Sequence, residues 1–97
     1  NALLSDEERQ KAAIIYQALR EAKIAAKNGE RNALNLEQIV RNKIEMEPLA
    51  KIDYIAIVDN DTLEPIEKIG ENAVLIAVAA KFGNVRLIDN TVLNKKQ

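Results

Sequence analysis

The sequence predicts an α+β domain, in which a helical hairpin packs on a small, mainly antiparallel three-stranded sheet. Three observations lead there. Two stretches, over residues 6–27 and from about Asn35 to Pro48, repeat apolar residues at helical spacing between capping residues. The pattern then changes at residue 52 to runs rich in β-branched residues, over 52–59, 73–82 and 85–90. Turn chemistry separates those runs, at Asn60-Asp61-Thr62 and at Gly83-Asn84.

The first helix opens on Ser5-Asp-Glu-Glu8, a capping box in which the Ser5 hydroxyl and the Glu8 carboxylate satisfy each other's amides. Ala12, Ile15, Tyr16, Leu19, Ala22 and Ala26 form its inward stripe, and Asn28-Gly29 ends it with freedom for positive φ. Ile14, Ala18 and Ala25 widen the stripe. That wide arc is explained either by docking against another domain or by deeper burial in the helix's own core. The second helix starts near Asn35 as N-cap, turns Leu36, Ile39, Val40 and Ile44 inward, and is stopped by Pro48. The connection between the helices is short and polar, as an αα-hairpin needs.

In the run 52–59, Ile or Val falls on both alternating faces, so it is expected to be an interior strand covered on two sides. Pro65 interrupts ladder pairing before the next run. Gly83-Asn84 then reverses the chain into a hairpin, and Lys95, Lys96 and Gln97 are expected to fray.

Composition narrows function. The 97 residues fit one domain, and 47% hydrophobic content suffices for one modest core. With 14 basic and 15 acidic side chains the net charge is -1, which gathers neither nucleic acid nor an anionic membrane surface. Aromatic residues at 3% offer no stacking platform for bases. The longest apolar run, residues 73–80, is far short of the roughly 20 residues that cross a bilayer. Cys and His are both absent, which removes disulfides, thiolate metal sites and the commonest general acid/base. Catalysis by this chain alone would have to rest on carboxylates or Lys. The sequence begins at Asn1 and shows no signal-peptide pattern, so a preceding segment and a cytoplasmic setting are expected.

Individual polar groups carry weaker signals. Arg9, Arg20 and Lys27 project within about 20° of one another on a helical wheel, with Lys23 beside the apolar stripe. This basic edge reads either as a set of phosphate-facing cations or as a solvated rim whose stems cover the core. Asp59-Asn60-Asp61 brings carboxylates together, but calcium-loop spacing fails, with Leu63 at the fifth position, Glu64 in place of the turn Gly and Gly70 in place of a bidentate Glu. An Asx-turn is expected instead. Asp53 and Asp59 share a face by parity with Ile55 and Ile57 and are expected to pair or cap. Arg86 and Asp89, three apart on a strand, point to opposite faces and are expected to tie the last strand to the helices, or the domain to its hinge.

Four motifs in register, Asn1-Ala-Leu-Leu-Ser-Asp-Glu-Glu-Arg9, Asp53-Tyr-Ile-Ala-Ile-Val-Asp59, Thr62-Leu-Glu-Pro65 and Arg86-Leu-Ile-Asp-Asn90, resemble the C-terminal domain of the pantothenate synthetase (pantoate–β-alanine ligase) family. The resemblance covers essentially the whole chain, as one lid domain over residues 1–97. It implies an ATP-dependent ligase that makes pantoyl adenylate and pyrophosphate, then lets β-alanine displace AMP to give pantothenate. ATP and Mg would serve the complete enzyme and neither would serve this chain alone. The family's phosphate-holding His-x-Gly-His motif and Ser-Ser-Arg loop belong to an N-terminal Rossmann-like domain and are missing here. Of that loop only a trailing Asn is matched, at Asn1, so no catalytic residue carries over. The implied partners are that N-terminal domain and, in a homodimer formed mainly through it, pantoate, β-alanine and ATP. The contrasting hypothesis is a free-standing protein-interaction module that keeps this fold.

Overall fold

The structure, a computed structural model, describes residues 6–94. The capping box at Ser5, the nucleotide-loop match at Asn1 and the tail from Lys95 lie outside the described residues.

Helix α1 spans Asp6–Lys27, with Asp6, Glu7 and Glu8 in its first turn and Lys27 in its last, the charge order that the helix dipole favours. Its end is a Schellman motif. The Glu30 amide donates to the Ala25 carbonyl and the Gly29 amide to that of Ala26, with Gly29 at φ 114°. Ile15, Ala18, Leu19, Ala22 and Ala26 are buried along one face, while Tyr16, expected inward, is 57% exposed. Ile14 and Ala25 are half-buried against the same core, so the wide apolar arc serves the domain's own interior.

Helix α2 spans Ala33–Glu45 and begins earlier than expected. Asn32, and not Asn35, is the cap: its backbone is extended and its side-chain oxygen accepts the Leu34 amide at 2.9 Å. The segment after β1 fixes that choice. The Ala33 amide donates to the Glu67 carbonyl and the Ile69 amide to that of Arg31, while Asn35 turns its amide to Glu30. The helix ends three residues before Pro48, and Leu36, Val40 and Ile44 are fully buried. Lys11 binds Glu47, locking the start of α1 to the end of α2.

Strands β1 (Ala50–Asp59), β2 (Val74–Phe82) and β3 (Val85–Leu93) form an antiparallel sheet in the order β1-β2-β3. The interior strand is therefore β2, whose alternate residues Val74, Ile76, Val78, Ala80 and Phe82 all enter the core. The run over 52–59, expected in the interior, lies at an edge. Both helices pack on one face of the sheet. A bulge between Ile52 and Tyr54 makes Asp53 the extra residue. It lets Ile52, Ile55 and Ile57 all meet the core and breaks the parity that would have set Asp53 beside Asp59.

The link from β1 to β2 is more than a turn. Asp59 accepts the amides of Asp61 and Thr62, as an Asx-turn does, and Leu63 adopts φ 62°. Residues 64–66 then run back along the outer edge of β1, where the Asp59 amide donates to the Glu64 carbonyl and the Ile66 amide to that of Ile57. Gly83, at φ 67°, closes the β2–β3 hairpin in two residues.

Candidate functional site

The helical wheel that aligns the basic edge of α1 also sets it beside the third strand. Tyr16, Leu19, Arg20, Lys23, Ile24 and Lys27 line one wall of a groove of about 450 Å³, and Asp89, Asn90 and Thr91 line the other. Residues 16, 20, 23 and 27 recur every three or four positions, the period of one helical face. On β3, Leu87 and Leu93 pack on the core, so Asp89 and Thr91 between them share the side that faces α1.

Three cations thus face one carboxylate. Among the described residues no ion pair neutralises Arg20, Lys23 or Lys27, whereas Asp89 already accepts the Asn90 amide at 2.8 Å. The groove presents net positive charge, an apolar floor from Leu19, and the hydroxyl of Thr91. That set suits an anionic ligand with hydrogen-bonding oxygens.

Of the phosphate-facing candidates, Arg20 lies in the groove with Lys23 and Lys27. Arg9 is exposed on α1 three turns earlier, about 16 Å along the axis, and lies outside it. Sequence reasoning missed Tyr16, Asn90 and Thr91. Tyr16 occupies a helical position equally compatible with core and rim, and nothing local announces which strand packs beside α1.

The remaining polar candidates are structural. Arg86 donates to Asp53 at 2.7 Å, which ties β3 to β1 across β2 instead of to the helices. Asp59 has its carboxyl lowered from its ordinary value by the amides of Thr62 and Asp61, then by Asn72. Glu30 is lowered by the amide of Asn32 and the side chain of Asn35, and Glu47 by its hydrogen bond with Lys11. Each of these shifts moves away from neutrality, opposite to the tuning of a general acid or base. Among the described residues no group of three or more His, Cys, Asp or Glu side chains comes together as a metal site. No helix described is long and apolar enough to cross a membrane.

The comparisons with known proteins agree with this architecture. The family model for pantoate-beta-alanine ligase matches residues 1–92. Pantothenate synthetase of Clostridium botulinum (strain Okra) is 47% identical over 90 residues, covering 93% of this chain and 32% of that protein. The enzyme of Thermotoga petrophila is 48% identical over 93 residues, covering 96% of this chain and 33% of its own length. A crystal structure of pantothenate synthetase from Thermus thermophilus superposes with a TM-score of 0.82 at 32% identity, over 97% of this chain and 33% of that one. The chain spans about a third of the length of the curated relatives it matches. With the match running through both helices and all three strands, the chain belongs to the pantoate–β-alanine ligase family.

Proposed function

We propose that this chain is the C-terminal lid of an ATP-dependent ligase that joins pantoate to β-alanine, and that it does not turn over by itself. The observation that carries the proposal is the match of nearly the whole chain to a third of each relative. In the complete reaction the pantoate carboxylate attacks the α-phosphorus of ATP and releases pyrophosphate. The β-alanine amine then attacks the acyl carbon of pantoyl adenylate and expels AMP.

An acyl adenylate is lost if water reaches its carbonyl first, so a domain that closes over it raises yield without supplying a nucleophile. Shape and charge suffice for that role. We assign to the groove the side turned toward nucleotide phosphates, where Arg20 would meet phosphate oxygens in its planar fork while Lys23 and Lys27 add positive field. The lack of His and Cys, and the downward shifts of Asp59, Glu30 and Glu47, fit a cover better than an acid–base centre. The complete enzyme is proposed to act in the cytoplasm as a homodimer built mainly on its other domain.

The test is AMP release from ATP, pantoate and β-alanine. The 97-residue chain should release none. A chimera in which it replaces the matching 93-residue region of the Thermotoga petrophila enzyme should release AMP only when both pantoate and β-alanine are present. Turnover by the chain alone, or a folded chimera without activity, would overturn the proposal. The second of those results would favour a free-standing interaction module.

A further inference from the structure

Lys11, Arg41, Lys43 and Arg86 each pair with a carboxylate. Among the described residues Lys23 and Lys27 pair with none, although they stand four apart on one helical face, where like charges repel. Arg31 continues that series by four more positions, just past the end of α1. Its Nη1 donates to the Ala26 carbonyl at 2.6 Å and to that of Glu30 at 3.2 Å, which fixes the guanidinium at the last turn of the helix. Nε and Nη2 form no hydrogen bond to another described residue, so the fork keeps an edge with which to meet an oxyanion.

These three cations line a second cavity, of about 50 Å³, with Asn94 and the buried Ala26 and Leu93. It adjoins the α1–β3 groove, with which it shares Lys23 and Lys27. Its size admits a few waters or a small ion and leaves no room for a base and sugar. No carboxylate lines it. Asp89, the acid of the groove, stands four residues back along β3, about 13 Å from Leu93. Glu30, next to Arg31 in the chain, turns its carboxylate to the Asn32 amide and to Asn35. Positive charge is thus concentrated at this end of α1 with nothing to offset it inside the cavity.

We infer that this cavity binds a diphosphate group, one phosphate toward Lys23 and the other toward Lys27 and Arg31. Lys23 and Lys27 are about 6 Å apart along the helix axis, so two linked phosphates bridge positions of which a single phosphate meets one. For its place in the reaction the inference rests on the ligase reading. Attack on the α-phosphorus of ATP breaks its bond to the bridging oxygen, which departs with the electron pair on pyrophosphate. The cavity receives that anion farther along the basic row than Arg20. Lys23, Lys27 and Arg31 supply charge and hydrogen bonds only, and no covalent bond or proton passes to them.

Calorimetric titration of the 97-residue chain with inorganic pyrophosphate, orthophosphate, AMP and ATP, in buffer free of divalent metal, tests it. Pyrophosphate should bind at least about tenfold more tightly than orthophosphate or AMP. ATP as tight as pyrophosphate would make the natural ligand a nucleotide tail, and much weaker ATP would make it the free anion; both results keep the diphosphate group. Lys27→Gln should weaken pyrophosphate about tenfold, and the double variant with Lys23→Gln about a hundredfold. Lys51→Gln removes an exposed cation of β1 outside the cavity and should change binding by less than about twofold. Equal affinity for pyrophosphate and orthophosphate would overturn the inference. So would a loss with Lys51→Gln as large as that with Lys27→Gln, because net charge alone would then account for binding. Activity of the unsubstituted chimera judges the ligase reading separately. A folded, inactive chimera beside a chain that binds pyrophosphate would sink that reading and leave the site standing, while an active chimera beside a chain that does not would do the reverse.

Discussion

Arg86 Nε donates to Asp53 Oδ2 at 2.7 Å, joining the last strand to the bulge of the first across the whole width of the sheet. Both side chains are well exposed, at 45% and 38%, so solvent screens the pair. Arg86→Ala should therefore cost less than about 1 kcal/mol of stability in urea denaturation. A loss above about 2 kcal/mol would mean that the pair holds the bulge itself.

The turn after β1 makes an acid-dependent prediction. Asp59 has its carboxyl lowered by the amides of Thr62 and Asp61 and by Asn72, so its folded pKa lies below the unfolded one. The stabilisation is present above the unfolded value and is lost as pH falls through the folded one, roughly from pH 5 down to pH 2. Asp59→Asn keeps an oxygen for both backbone amides but cannot titrate. It should flatten part of the acid slope of the urea midpoint and leave the share due to Glu30 and Glu47, both shifted the same way. An unaltered slope would refute the assignment.

Leu63 is the one residue other than Gly among those described with positive φ, at 62°, and its side chain is 63% exposed. Little packing opposes the backbone strain. Leu63→Asn, which tolerates that conformation better, should raise stability by up to about 1 kcal/mol in the same assay. A loss would show that the leucine side chain makes a contact worth more than the strain.

Ile76 lies on the central strand and is fully buried on its helix-facing side. Ile76→Ala should cost about 2–5 kcal/mol, a large share of the stability of a domain this size. A urea midpoint near that of the unsubstituted chain would contradict the core assignment.

Residues whose signals are local were legible in the sequence. The C-terminal end of α1, the Asx-turn at Asp59 and the Gly83-Asn84 hairpin follow from caps and φ preferences acting within a few residues. What the sequence left open was decided by tertiary contact. Asn32 and Asn35 are both competent caps, and the hydrogen bonds from residues 67–69 chose the first. The run at 52–59 carries apolar residues on both of its faces. It does not say that β1 lies at an edge, because strand order depends on which run pairs on both sides. The site was half legible: the period of α1 aligns Arg20, Lys23 and Lys27, but only packing brings Asn90 and Thr91 opposite them.

The groove's assignment to phosphate bears on ATP. Arg20→Glu in the chimera should raise the KM for ATP about tenfold or more while the KM for β-alanine stays nearly constant, since losing a charge-assisted contact and gaining repulsion costs at least about 1.4 kcal/mol on the usual scale. Unchanged steady-state kinetics would return the basic edge to the role of a solvated rim.

The central claim is that this domain acts as a cover, and the stoichiometry of the chimera tests it most directly. Pantothenate formed is measured against AMP released in the chimera and in the Thermotoga petrophila enzyme without the region that matches this chain. A cover predicts a ratio close to one in the chimera and a clear fall in the shortened enzyme, as adenylate is lost to water. A ratio that stays at one without the domain would contradict the claim.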